Sequence, residues 1–428
     1  MDINKLYHLF LQHQRVQTDT RLLQAGEIFF ALKGPNFNGN AFASKALEIG
    51  AAAVVIDEPV LAENEQVFLV DDALDALQKL ANHHRRQFNI PFIAITGSNG
   101  KTTTKELIHA VLSAAFSTHT TKGNLNNHIG VPLTLLSIPQ NAEIAVVEMG
   151  ANHQKEIESY CIVAEPTHGL ITNCGKAHLE GFGGVEGIRK GKGELFQYLA
   201  NNTGTAFINS DLDYFDEMSK QVKNKIFYGN RKGDFTTSVI QDEPLLVLEV
   251  KDQQCGKQKI FSRLVGAYNK PNIEAAICIG KHFGISIDKI RTAIESYIPD
   301  NARSQLIEKG SNKIILDAYN ANPSSMQVAL ESFAQQQSTN KYLFLGAMME
   351  LGEEGVREHQ ALVETIQKMG IKNVILVGGD FSAIRHPFRY FNDSSSAAAW
   401  VGDNQPINSL ILIKGSRSTR MEKILDAL

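Results

Sequence analysis

Short apolar runs alternate along the chain with longer stretches whose apolar positions recur every three or four residues. Residues 26–56 read strand, loop, helix, strand. GEIFFAL is a short apolar run, KGPNFNGNAF a polar turn, ASKALEIGA has helical spacing, and AAVVI is a buried-strand run. VFLV at 67–70 is a further strand, and a helix over 73–88 leads into IPFIAIT. A first domain boundary is expected near residue 80.

From 90 to 300 strands and helices alternate, with strands expected at 92–96, 144–148 and 169–172 and helices at 101–115 and 270–283. Alternation of this kind argues for a mainly parallel sheet covered by helices. The segment 225–265 is richer in β-branched residues and turns and reads as a small antiparallel excursion. A second boundary is expected near YIPDNARSQ, 297–305. Beyond it KIILDAY, YLFLGAM, NVILVGG and SLILIKGS are buried-strand runs with helical stretches between them. The fold class is α/β in three domains: a small N-terminal α/β domain (1–80), a central parallel-sheet domain (81–300) and a C-terminal Rossmann-like α/β domain (301–428).

Length supports this division, because 428 residues exceed one ordinary core. Composition is that of a globular protein, 43% hydrophobic and 21% charged, which excludes disorder, collagen-like repeats and coiled coil. A net charge of −4 gives no global basic field for nucleic acid or an anionic membrane surface. Cys161, Cys174, Cys255 and Cys278 have no CxxC pair or metal-like spacing and fit a reducing cytoplasm. No secretion signal or bilayer-spanning run is expected.

Candidate chemistry centres on FIAITGSNGKTTTKELI, 92–108. An expected strand, a glycine turn and a helix start bring backbone N–H groups and a helix dipole to one point, which suits phosphate. The usual nucleotide-binding loop has four residues between Gly and Gly-Lys-Ser/Thr. Here only Ser98 and Asn99 separate Gly97 from Gly100. Lys101 can reach terminal phosphates, and the Thr102 hydroxyl can bind Mg²⁺. A plain glycine turn before an ordinary helix is the alternative; the strand before it and the Lys-Thr after it weigh against that.

Further stretches follow in order. AVVEMGANHQKEI places Glu148 at a strand end, ITNCGKAHLEGFG places Asn173 and His178 past another, and KGKGELF supplies Lys192. Ends of parallel strands are where open α/β sheets hold ligands. Taken singly these residues are weak signals: a solvated carboxylate, a structural histidine, a surface lysine. The shortened loop ITGSNGKTTTKE resembles the ATP-binding loop of the Mur ligase family, which includes the folylpolyglutamate synthetases. The resemblance covers essentially the whole chain.

It implies ATP as a substrate cradled by Gly97, Ser98, Asn99, Gly100, Lys101, Thr102 and Thr103. LVGAYNKPNIEAA resembles the family segment whose asparagines approach adenine, here Asn269 and Asn272; helix capping is an equal alternative for either alone. Tyr268 stands where that segment usually has His. Arg303 and Asp317 match family positions near phosphates and ribose. Two Mg²⁺ ions are implied, held by Thr102, Glu148, His178 and a carbamylated Lys192, with Lys101, Glu148, His178 and Lys192 as catalytic residues.

TRLLQAGEIFFALKGPNFNGNAF resembles the family's UDP-sugar domain, pointing to Thr20 and Arg21; Thr20 replaces the usual Ser, and Asn38-Gly39-Asn40 replaces Asp-Gly-His. DAYNANPSSM, LGAMMELGEEGVREH and LIKGSRSTRME point, within the family, to UDP-N-acetylmuramoyl-tripeptide and D-alanyl-D-alanine as substrates. Ala347 stands where Asp is frequent. Asn126 and Asn127 in KGNLNNHIG, with Asn320, Asn322, Ser416 and Arg417, are the candidate substrate contacts. For Arg417 and Arg420 an interdomain salt bridge is an equal alternative. The implied product is a peptidoglycan precursor made by a monomeric cytoplasmic ligase through an acyl phosphate. Rival readings are another ligase of the family, adding a different amino acid or glutamate, and a non-catalytic nucleotide-binding homologue.

Overall fold

The computed structural model describes residues 3–59, 61, 64–253, 256–300 and 302–428. Three sheets carry the three-part α/β architecture. The first is a four-stranded parallel sheet in the order 16–17, 28–30, 53–56, 67–69. Helices Ile3–His13, Ala43–Ile49 and Ala73–Arg85 accompany it. The helix Ala73–Arg85 is capped by Asp72, whose carboxylate accepts the Asp75 N–H at 2.8 Å.

The central sheet has six parallel strands in the order 224–228, 205–209, 168–171, 92–96, 144–148, 118–120. Strand Phe92–Thr96 is buried on both faces. Phe92 and Ala94 join one core; Ile93 and Ile95 join another with Leu107, Ile108 and Val111 of helix Lys101–Ser113 and Ile273 and Ile277 of helix Lys270–His282. That two-sided burial explains why the run is continuously apolar rather than alternating. From Phe92–Thr96 the chain passes first to one side of the sheet and later to the other. This is the switch point where α/β sheets open a crevice at the strand ends.

One expectation is corrected here. Residues 224–228 are the parallel edge strand of the central sheet, and the antiparallel excursion is confined to strands 235–241, 247–252 and 256–261. Asn224 and Lys225 leave only Ile226, Phe227 and Tyr228 as an apolar run, because an edge strand with little cover needs no longer stripe. The strands 118–120 and 205–209 and the helix Val185–Asn201 also belong to this region and were not singled out in the sequence.

The third sheet runs 305–309, 312–317, 410–414, 341–346, 373–377, 389–391. Its first pair is antiparallel and the remaining pairs are parallel. The four apolar runs read from the sequence are its four inner strands. Among the described residues no helix is long and apolar enough to cross a membrane.

Candidate active site

The C-terminal ends of the central strands open into a cavity of about 760 Å³ whose far wall comes from the third sheet. Register sets its floor: Ile95 pairs with Glu148, and Thr96 with Ile171. Strand Phe92–Thr96 therefore ends beside a carboxylate on one side and the 172–178 loop on the other.

The turn after this strand is held by the backbone and side chains of Thr172 and Asn173. Ser98 N–H donates to the Asn173 carbonyl at 2.9 Å, and Asn99 N–H to Asn173 Oδ1 at 3.1 Å. Thr172 Oγ1 donates to the Asn99 carbonyl at 2.6 Å. Gly97 has φ +145°, and a Cβ there would lie 2.0 Å from Thr172 Oγ1, so only glycine fits. Helix Lys101–Ser113 starts directly from the turn, so its free N–H groups face the cavity. Lys101 Nζ donates to the Gly97 carbonyl at 2.8 Å. Loss of solvent pushes its ammonium below the usual lysine range, against the pull of Glu148 and with a push from Arg303.

Glu148 is 1% exposed. Its Oε1 accepts Thr102 Oγ1 at 3.1 Å and Asn126 Nδ2 at 2.8 Å, while its Oε2 is buried with no hydrogen-bond partner among the described residues. A buried carboxylate oxygen left unpaired beside a hydroxyl is costly unless a cation or donor completes it. Lys192, also 1% exposed, donates to the carbonyl of Ala151 at 2.9 Å, and Ala151 lines the cavity. Burial, and then the positive charge of Lys101, push its pKa well below the usual lysine range. Burial thus favours its neutral amine form. His178 lines the cavity with positive φ, +52°.

Among the described residues no cluster of three or more His, Cys, Asp or Glu side chains stands ready for a metal. The donor set expected from the sequence fits Mg²⁺ only if Lys192 becomes an anion. Its neutral, buried amine is the form that adds CO₂, and the unpaired Glu148 oxygen is a hard ligand of the right kind.

The cavity brings together Ser98, Asn99, Gly100, Lys101, Thr102, Thr103, Asn126, Asn127, Glu148, His178, Asn269, Asn272, Arg303, Asp317, Asn320 and Asn322. Several of these also have structural duties. Asn127 Oδ1 accepts the N–H of Gly130, the first residue of helix Gly130–Leu136, at 2.8 Å. Asn272 Nδ2 donates to Asn269 Oδ1 at 2.8 Å, and both side chains are buried. Arg303 lies over the Tyr319 ring at 3.6 Å. Asp317 pairs with Lys414 at 2.5 Å. Asn322 caps the helix Pro323–Gln335 and reaches across to Asn99 Oδ1 at 2.8 Å.

Others lie outside the lining. Gly97 supports it from behind. Ser416 is buried and bridges the Ala321 carbonyl and the Met349 N–H. Arg417 is exposed, 5.8 Å from the Tyr319 ring. Thr20 and Arg21 lie in the first sheet's region, where Arg21 is exposed and paired with Asp19 at 2.5 Å. The sequence reading missed Thr172, Ser324 and Lys414. Only Lys414 left a signal, a lysine ending an otherwise apolar strand run.

Residues 95–280 match the family model "Mur ligase middle domain", residues 302–417 "Mur ligase, glutamate ligase domain", and residues 13–85 "Mur ligase family, catalytic domain". The UDP-N-acetylmuramoyl-tripeptide--D-alanyl-D-alanine ligase of Bacillus subtilis is 36% identical, covering 96% of this chain and 92% of that protein. The chain belongs to the Mur ligase family. The ligase of the same description from Escherichia coli is 35% identical, covering 96% and 93%. A crystal structure of MurF from Acinetobacter baumannii superposes with a TM-score of 0.88 at 31% identity over 96% of this chain and 92% of that one. The MurF ligase of Thermotoga maritima, solved with ADP, gives 0.87 at 27% identity over 97% of both.

Proposed function

We propose that this chain is an ATP-dependent amide ligase that joins D-alanyl-D-alanine to UDP-N-acetylmuramoyl-tripeptide, giving the pentapeptide precursor of peptidoglycan, ADP and phosphate. The observation that carries it is the meeting of Lys101, Thr102 and a buried Glu148 with an unpaired oxygen, in one cavity with His178. The peptide carboxylate attacks the γ-phosphorus of ATP, ADP departs, and a mixed acyl phosphate forms. The dipeptide amine then adds to the acyl carbon, its nitrogen gives up a proton to the departing phosphate or to water, and the tetrahedral adduct expels phosphate to leave the amide.

Positioning and charge neutralisation are the chain's chief contributions. Backbone N–H groups at the start of helix Lys101–Ser113 and the Lys101 ammonium draw the polyphosphate into place. Asn269 and Asn272 form the side of the cavity suited to adenine, and Arg303 and Asp317 face the phosphates and ribose. Thr102, Glu148, His178 and a carbamylated Lys192 would hold two Mg²⁺ ions, which supply charge neutralisation of the phosphates and of the acceptor carboxylate when bound. The carbamate forms when the neutral Lys192 amine bonds to CO₂ and releases a proton.

Residues 1–80 are assigned to the UDP-sugar, with Thr20 and Arg21 as contacts. Residues 81–300 are assigned to ATP, and 301–428 to closure over the nucleotide and to the dipeptide, through Asn320, Asn322, Ser416 and Arg417. Asn126 and Asn127 border the acceptor. A monomer in the cytoplasm fits this chemistry. The test is ADP release with a panel of acceptors and amines. Release that requires both UDP-N-acetylmuramoyl-tripeptide and D-alanyl-D-alanine supports the reading. Turnover with another amino acid or with glutamate assigns a different ligase, and ATP binding without turnover assigns a non-catalytic homologue.

A further inference from the structure

At the His178 edge of the cavity a second contact zone joins the central and C-terminal regions. His178 and Glu350 meet there, with Glu350 Oε2 at 2.5 Å from His178 Nδ1. Among the described residues Nδ1 has no other partner. Both residues have left-handed backbones, His178 at φ +52° and Glu350 at +61°. Such conformations persist in non-glycine residues where the surroundings over-determine them, and they cluster at functional sites.

The backbone on either side of Glu350 is held, while its own side chain is half exposed. The N–H of Met348 donates to Nε2 of the fully buried His359 at 3.0 Å, and the N–H of Met349 donates to Ser416 Oγ at 3.0 Å. Gly352, at φ +55°, packs against the 178–182 turn so closely that a Cβ would lie 3.1 Å from the Glu180 side chain. Nearby, Lys176 Nζ pairs with Glu358 at 2.6 Å, and the Lys176 N–H donates to Ser324 Oγ at 2.7 Å. The loop is thus braced to present one carboxylate to one histidine across the interface.

We infer that Glu350 is a positioning residue that, when the C-terminal region closes, fixes the His178 ring with its proton on Nδ1 and its Nε2 lone pair free. Histidines that serve as ligands commonly hold their second nitrogen on a carboxylate, which fixes tautomer and ring orientation. The inference rests on the ligase reading for its kinetic arm only. It makes closure and the assembly of the His178 side of the site one event, because the carboxylate arrives on the moving partner.

The experiment compares wild type, Glu350→Ala, Glu350→Gln and Lys176→Ala. Steady-state kinetics is run on each. The His178 ring is read by ¹⁵N NMR of histidine-labelled protein, assigned by difference from His178→Gln, at a pH where the ring is neutral. Glu350→Ala lowers kcat about 10- to 100-fold, the scale for removing such a partner, with the ATP KM within about twofold. Its His178 signal changes from a single Nδ1–H form to a tautomer mixture. Glu350→Gln, whose amide oxygen accepts the same proton, keeps the tautomer and restores kcat to within about threefold of wild type. Lys176→Ala, which loosens the interface without touching His178, keeps the tautomer.

An unchanged kcat in Glu350→Ala, an unchanged ring signal in that variant, or a Glu350→Gln as slow as Glu350→Ala overturns the inference. A wild type without D-alanyl-D-alanine-dependent turnover sinks the ligase reading instead, and the ring signal still decides the role of Glu350.

Discussion

Two strand-to-helix loops bear on the site, one lining the cavity and the other reaching it through His178, and they present different kinds of group. The loop at 97–100 is fixed by the backbone and side chains of Thr172 and Asn173, just past the neighbouring strand, with glycine where no side chain fits. The loop at 347–352 is fixed by side chains that reach it from 11 and 67 residues away, His359 and Ser416. The first presents N–H groups and a helix start, a generic cradle for phosphate. The second presents one carboxylate to one partner. A generic electrostatic task is met by backbone N–H groups, whereas orienting one ring takes a side chain aimed at it; both loops are braced from elsewhere in the fold.

The strongest way to break the first loop is at its charge. Lys101→Ala is expected to reduce ATP-dependent turnover by at least about 10²-fold, the scale of losing one preorganised electrostatic group. Its melting temperature stays near that of wild type, because Lys101 makes only local contacts with the Gly97 and Ser98 carbonyls. Turnover within tenfold of wild type would remove Lys101 from the chemistry. Lys192→Ala follows in size. Activity falls strongly, and added short carboxylic acids restore part of it by supplying the missing anion. Full activity without rescue sinks the carbamate.

The contrast itself is tested by a pair of substitutions. Gly97→Ala drives a methyl into Thr172 and forces a left-handed backbone. It is expected to destabilise by about 1–3 kcal/mol, the usual range for overpacking, and to abolish nucleotide binding. His359→Leu leaves the buried Met348 N–H without an acceptor, at about 1–3 kcal/mol. It keeps nucleotide binding and lowers kcat, since only the loop carrying Glu350 is released. Calorimetry for stability and ADP titration for binding separate the two. Equal loss of ADP affinity in both would show that the loops are not independent.

The same contrast explains what the sequence disclosed. The strand Phe92–Thr96 and the loop after it are local: apolar run, Gly, Lys-Thr, helical spacing. The inner strands of the third sheet were legible for the same reason, being buried on both faces. Strand 118–120 is three residues long and only partly buried, so it carries too few apolar positions to stand out. Residues 224–228 were misread because an edge strand lacks the continuous stripe. Within the site, Glu148 and His178 were found by order along the chain, yet the unpaired oxygen of Glu148 and the partner of His178 depend on register and on a region over 170 residues away. Thr172 and Ser324 act through one hydrogen bond each, and nothing in their neighbours marks it.

The smallest effect is expected at the edge of the second loop's region, where Arg417 stands exposed. Arg303 stacks closely on Tyr319, and Arg417 lies on the same ring at longer range. Tyr319 lines the cavity, so a guanidinium beside it can meet a dipeptide carboxylate arriving from the C-terminal side. An exposed charge contact is worth about 1 kcal/mol or less. Arg417→Ala is therefore expected to raise the D-alanyl-D-alanine KM about three- to fivefold, with kcat and the ATP KM unchanged. An unchanged dipeptide KM would assign Arg417 to the protein surface. A parallel rise in the ATP KM would instead place its effect on Tyr319 and Arg303, and so on the nucleotide side of the cavity.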